Sequence, residues 1–384
     1  MIDDEDNNMR YYKIAICFLL LIMTIFVTAC KSTQVTQNPL YTSTVISSEP
    51  RLEKTPQPSK ETENLLKNIL NQINDGDYNN ALININKYIE NNQNNPYAYY
   101  LRALIYQAMS DFDKAIVDID KAISLNPNYA IAYNLKGYIE GQKGNNDQAL
   151  VLFNKAIELD HNYAQAYNNR AILLASQEKF TEAFNDFDKA LELDPNNAQI
   201  YLNISIAYSL EKELDKAIET INKAIALQPN DPNFYTYRAS YYKEIPDFDK
   251  AIADFNKAIE LDPNNPINYY NLGATYDDLG QYKQAEELYN KYITLQPEDP
   301  DGYYSLAVVL LNQENLDSAI FNINKAIELD NTNPVYYYVR GMVYIQKRLN
   351  DNAISDLQKA LNLNPDQNLR SMIEDQLNLL NSNP

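Results

Sequence analysis

From Thr62 to Gln367 the chain alternates between apolar stretches of helical period and short polar breaks, and the pattern returns every 34 residues. Phrases such as DKAISLNPN, NKAIELDHN, DKALELDPN, NKAIALQPN and NKAIELDPN recur at that interval. Nine units follow one another without an insertion. With Thr62 as position 1, Ala holds position 20 in every unit, from Ala81 to Ala353, and Lys holds position 26, from Lys87 to Lys359. An aromatic holds position 4 in units two to nine: Tyr99, Tyr133, Tyr167, Tyr201, Tyr235, Tyr269, Tyr303 and Tyr337. So short a unit cannot bury its own apolar face, so neighbours must stack into a solenoid.

Each unit reads as two helices. Five open with Pro after Asn or Asp: Asn95-Pro96, Asp231-Pro232, Asn265-Pro266, Asp299-Pro300 and Asn333-Pro334. That is an N-cap followed by Pro at N1, where the missing N–H costs nothing. Position 18 is Asn, Asp or Thr in eight units (Lys283 departs), which predicts the N-cap of the second helix there. Small residues at positions 8, 20 and 27 let helix backbones approach. Position 7 is Arg in the same four units in which position 23 is Asp, which predicts the pairs Arg102/Asp118, Arg170/Asp186, Arg238/Asp254 and Arg340/Asp356. An exposed pair of this kind contributes at most about 1 kcal/mol. After Gln367 the register breaks, and Leu369, Met372, Ile373, Leu377 and Leu380 form the stripe of a capping helix over residues 368–384.

The N-terminus has a different character. Ile14 to Val27 is an apolar run of 14 residues, short of the roughly 20 that span a bilayer. Arg10 and Lys13 precede it as the positive region of a secretory signal. Asp3, Asp4, Glu5 and Asp6 do not suit such a region, whereas a start at Met9 gives the compact MRYYK. The run ends in Val27-Thr28-Ala29-Cys30, which resembles a bacterial lipobox. The resemblance implies a signal peptide over residues 1–29, cleavage before Cys30 and diacylglycerol on the Cys30 thiol. It further implies a membrane-anchored lipoprotein facing the periplasm or the cell exterior, at the outer membrane in a diderm. Residues 31–61, rich in Ser, Thr, Gln and Pro, read as a flexible tether with a reach of roughly 30 Å.

Composition narrows the chemistry. Thirty-two Lys and Arg stand against 52 Asp and Glu, and a net charge of −20 opposes nucleic-acid binding. Eight glycines in the chain supply no GxGxxG or GxxxxGK[ST] cradle. Cys17 and Cys30 make no disulfide framework, and His161 alone makes no His-pair metal motif. No nucleophile with a base stands out, so no enzyme, metal or cofactor is expected.

The repeat resembles the tetratricopeptide repeat, with a pattern best kept in unit seven: Tyr269, Leu272, Gly273, Tyr276, Ala285, Tyr289 and Pro297. The resemblance implies an all-α fold, a right-handed superhelical solenoid of helix-turn-helix units closed by the capping helix. It implies a non-catalytic scaffold that binds protein or peptide segments in a concave groove lined by positions 2, 5, 9, 12 and 13 of the first helices. Those positions supply Tyr97, Tyr100, Asn134, Tyr138, Asn168, Tyr270, Tyr304 and Tyr338 as partner-binding candidates. The Lys/Asn pair of members that clamp acidic C-termini is missing from positions 5 and 9, which favours an apolar or basic segment. A homo-oligomer is the rival expectation, because Leu66, Leu70 and Ile73 place apolar side chains on groove positions of unit one.

Overall fold

The computed structural model describes residues 60–382. The expected signal peptide, Cys30 and nearly all of the tether lie outside the described residues. Among the described residues there are nineteen helices and no strand, in two compact regions, residues 60–229 and 230–382. The first region holds α1 (Lys60–Asn74), α2 (Tyr78–Asn91), α3 (Pro96–Ala108), α4 (Phe112–Leu125), α5 (Ala130–Gln142), α6 (Asn146–Leu159), α7 (Ala164–Ser176), α8 (Phe180–Leu193), α9 (Ala198–Leu210) and α10 (Leu214–Leu227). The second holds α11 (Pro232–Glu244), α12 (Phe248–Leu261), α13 (Pro266–Asp278), α14 (Tyr282–Leu295), α15 (Pro300–Asn312), α16 (Leu316–Leu329), α17 (Pro334–Gln346), α18 (Asn350–Asn362) and α19 (Gln367–Ser382).

Helix starts follow the sequence with one correction. All five Asn/Asp-Pro steps are caps: Asn95 accepts from the Tyr97 N–H, Asp231 from Asn233, Asn265 from Ile267, Asp299 from Asp301 and Asn333 from Val335. Position 18, expected to cap the second helix, lies inside its first turn. The cap is position 16, where Asp77, Asp111 and Asp247 accept from the N–H three residues on. The acids at position 18 (Asp113, Asp147, Asp215, Asp249, Asp317, Asp351) complement the positive end of the helix dipole. Between the two helices, position 15 takes the left-handed conformation. It is Gly in Gly76, Gly144 and Gly280, but Glu314 and Arg348 also hold φ near 60° there.

Packing explains the invariant letters. The nine position-20 alanines are all fully buried. A Cβ on Gly137 would lie 2.8 Å from Phe153, and one on Gly302 would lie 2.7 Å from the Tyr292 ring, so each glycine makes room for an aromatic on a neighbouring helix. Tyr99, Tyr201, Tyr269, Tyr303 and Tyr337 at position 4 each donate to a loop carbonyl six residues upstream, as Tyr99 does to Gln93 and Tyr269 to Pro263. In the capping helix Leu369 and Ile373 are buried, with Met372, Leu377 and Leu380 packed beside them.

The four Arg–Asp pairs form as expected and are bidentate. Nε and Nη2 reach the two carboxylate oxygens at 2.6–2.7 Å in each. Their carboxylates are buried, so the estimate for an exposed pair undervalues them: removing one partner of such a pair costs roughly 3 kcal/mol. Nη1 of Arg102, Arg170 and Arg340 goes on to the amide oxygen of Asn86, Asn154 and Asn324, position 25 of the preceding unit. Each of these arginines therefore ties three helices together.

Candidate functional site

The first helices carry the candidate residues, and the structure covers most of them. Tyr100, Tyr138, Tyr304 and Tyr338 are at most 8% exposed, and Asn134 and Asn168 are buried too. Tyr97 and Tyr270 are half-buried. Of groove positions 2, 5 and 9, position 2 is the more accessible, with Tyr97, Ile131, Gln165 and Gln199 in the first region and Asn233, Ile267, Asp301 and Val335 in the second, and position 13 opens further at the helix ends, as at Ser176, Leu210, Glu244 and Asp278. In unit six positions 5 and 9 also open, as Thr236 and Ser240. Leu66 and Ile73 are buried and Leu70 is packed in the same cluster, because α2 and α3 close over them. The observation that favoured self-association is thereby removed.

In the first region units three to five are joined by amides. Asn169 Nδ2 donates to Asn134 Oδ1, and one unit on Asn203 Nδ2 donates to Asn168 Oδ1, both at 3.0 Å. Gln165 and Gln199 donate from position 2 onto the oxygens of Asn169 and Asn203. The amides of Asn134 and Asn168, expected to meet a peptide backbone, are thus engaged between units. Beside them Tyr97 stacks on Tyr100 and Tyr100 meets Tyr129 edge-on, while Asn134 Nδ2 donates to the Tyr163 hydroxyl. Burial pushes the phenols of Tyr100, Tyr129 and Tyr163 up, which keeps them as neutral hydroxyls.

The second region joins its units through hydroxyls and an acid, and only the Ser305–Tyr270 pair falls on the positions of the amide ladder. Thr236 Oγ1 donates to Asn268 Oδ1 at 2.6 Å, Ser305 Oγ donates to the Tyr270 hydroxyl at 3.2 Å, and the Tyr336 hydroxyl donates to Asp301 Oδ1 at 2.9 Å. The Tyr292 hydroxyl donates to the cap residue Asp299. Burial, with Asp299 and Asp330 nearby, raises the Asp301 carboxyl against the pull of the Tyr336 bond. Lys243 on α11 pairs with Asp278 on α13 at 2.8 Å. Such a surface can hold a polypeptide through neutral phenols, amides and a few acids. Among the described residues no cluster of three or more His, Cys, Asp or Glu could hold a metal ion, and no helix is long and apolar enough to cross a membrane.

Sequence reasoning missed the amide ladder and the exposed row on the second helices. The ladder pairs position 5 with position 6 of the next unit, a 35-residue step that leaves no trace in a 34-residue alignment of single columns. The row lies at position 22, where Ile83, Val117 and Val151 are about two-thirds exposed and Phe321 is 72% exposed. The position-26 lysines lie on the same outer side; Lys155, Lys189, Lys257 and Lys325 pair with a Glu three residues on.

Comparison with known proteins agrees with the geometry. Family models described as tetratricopeptide repeat match residues 96–129 and 174–241, one described as TPR repeat matches 137–177 and 247–280, and one described as anaphase-promoting complex, cyclosome, subunit 3 matches 278–360. The described residues are a tetratricopeptide-repeat solenoid. Among solved structures, the APC/C hetero-tetramer Cut9–Hcn1 is 16% identical over 84% of this chain and 63% of that one, with a TM-score of 0.54. A tetratricopeptide repeat protein from Parabacteroides merdae ATCC 43184 is 20% identical over 65% of this chain and 98% of its own, with a TM-score of 0.49. YrrB, titled a TPR protein with an unusual peptide-binding site, is 25% identical over 49% of this chain and 97% of its own, with a TM-score of 0.42. No curated protein sequence matches the chain.

Proposed function

We propose that this protein is a lipid-anchored scaffold, held at a bacterial membrane through Cys30 and gripping segments of partner proteins along its first helices. The carrying observation is the row of partly accessible first-helix side chains, Tyr97 to Gln199 and Asn233 to Val335, set on helices whose deeper positions are consumed by inter-unit contacts. A protein-interaction scaffold is what a tetratricopeptide solenoid provides. The anchor rests on the apolar run Ile14 to Val27 and the Val27-Thr28-Ala29-Cys30 ending, the swing on residues 31–61. Partners of apolar or basic character fit the Tyr, Ile and Asp side chains of that row. Docking of cell-wall enzymes or assembly of an envelope machine are uses that such a device serves.

The test is capture with crosslinking from native membranes, comparing wild type with a Tyr97→Ala, Gln165→Ala, Ile267→Ser, Val335→Ala variant. These positions are only partly buried, so the fold should survive, which circular dichroism checks. Loss of a partner that binds purified wild-type protein supports the reading, and unchanged capture overturns it. Incorporation of a labelled fatty acid that Cys30→Ser abolishes tests the anchor separately.

A second reading, a self-associating surface lipoprotein, is favoured by the exposed row Ile83, Val117 and Val151. A monodisperse monomer by light scattering at high micromolar concentration removes it.

A further inference from the structure

Position 12 of the first helix is Leu311 in unit eight and Ile345 in unit nine, but in unit seven it is Asp277. This side chain is 8% exposed, and its Oδ2 is buried with no hydrogen-bond partner. A buried, unpaired carboxylate is costly, and such groups persist mainly in the protonated form. Its neighbour Asp278 is exposed and pairs with Lys243, which occupies position 12 of unit six. The lysine acts on both carboxylates and is closed on the outer one. An ion pair between α11 and α13 therefore sits beside a second carboxyl group able to compete for the same cation.

We propose that the Asp277 carboxyl is a proton-operated latch between units six and seven: protonated, it packs as a neutral group while Lys243 bonds Asp278; ionised, it is a buried charge that must be hydrated and that competes with Asp278 for Lys243, which loosens α13 against α11. Burial is the main force raising this carboxyl, to about 7; Asp278 adds repulsion and Lys243 opposes both. From α14 the Tyr282 phenol faces it and is itself raised, in part by this carboxyl. The charges acting on it are those of Asp278 and Lys243, with none from α12. A carboxyl raised in the folded state is stabilising, relative to its charged form, below that value. The packed arrangement therefore weakens as pH climbs from the ordinary carboxylate range toward 7 and levels off above it.

The consequence for binding rests on the groove reading above. Helices α11 and α13 carry Thr236, Ser240 and Tyr270, the least covered of the deeper first-helix positions, so the latch would set how a partner meets them.

The latch itself is tested on the full chain without any partner, so its failure and that of the groove reading are distinguishable. Selectively 13C-labelled aspartate gives the Asp277 titration by NMR, and hydrogen exchange of the α13 amides gives the opening equilibrium, read against Asp277→Asn at each pH to remove intrinsic rates. The expected result is a midpoint near 7 and an excess opening that rises on the order of tenfold per pH unit between about pH 5 and 7, relative to Asp277→Asn. Lys243→Met, which keeps Asp277, should move the midpoint upward and serves if the Asn variant does not fold. A midpoint in the ordinary carboxylate range near 4, or α13 opening with the same pH profile in Asp277→Asn, overturns the proposal.

Discussion

In residues 60–229 the first helices of units three to five are joined by amides at positions 5 and 6, Asn134 to Asn169 and Asn168 to Asn203, whereas in residues 230–382 that step is the hydroxyl pair Tyr270 and Ser305, and Thr236 to Asn268 and Tyr336 to Asp301 join units at other positions. The apolar frame is common to both: buried alanine at position 20, a tyrosine at position 4 and a bidentate Arg–Asp pair in two units of each region. An amide offers donor and acceptor without titrating, so the first region's ladder is indifferent to pH near neutrality. Carboxyls on the first helices must either find a donor, as Asp301 finds Tyr336, or be pushed toward the protonated form by burial, as Asp277 is. One repeat thus supports two kinds of junction, and the latch proposed above makes the second the one expected to respond to protons.

Four measurements bear on that contrast. Raising the pH from 5 to 8 should destabilise residues 230–382 by roughly 3 kcal/mol through Asp277, ionised less readily folded than unfolded, and Asp277→Asn should abolish the loss in urea unfolding. Asp186→Ala in the first region and Asp254→Ala in the second should each cost about 2–3 kcal/mol, with most of it recovered in Arg170→Met/Asp186→Leu and Arg238→Met/Asp254→Leu. Unequal costs would show that the shared frame is not shared energetically. Asn168→Leu should cost about 1–2 kcal/mol because it strips the acceptor from buried Asn203, while Tyr270→Phe, which removes the acceptor of the Ser305 hydroxyl, should cost about 0.5–1 kcal/mol. Smallest is the turn at position 15: Glu314→Gly should raise the stability of the second region by about 1 kcal/mol, since φ of 59° suits glycine.

Most of the frame was legible because repetition averages out local noise. Nine copies made the period, the helix pairs, the Asn/Asp-Pro caps and the Arg–Asp pairs readable from residue identity alone. The second-helix cap was misplaced by two residues because an acid at N2 and an acid at the cap both lower the energy of a helix start. The surface was less legible. Tyr100, Tyr138, Tyr304 and Tyr338 occupy groove columns, yet neighbouring helices cover them; a large ring fills space between units as readily as it meets a ligand. Asp277 and Asp278 are adjacent and identical; only the repeat register, which puts Leu311 and Ile345 in the column of Asp277, hints at which one the packing buries and which it leaves to Lys243.

On the proposed function, partners are held along the first helices and not on the outer faces. Site-specific incorporation of benzoylphenylalanine tests it directly, at Tyr97 and Tyr270 on the first helices and at Val117 and Phe321 on the second, followed by irradiation in native membranes. The expected result is adduct formation with one and the same partner from the first-helix positions and none from the outer ones. Adducts from Val117 or Phe321 with silent first-helix positions would contradict the claim and leave the outer faces as the working surface.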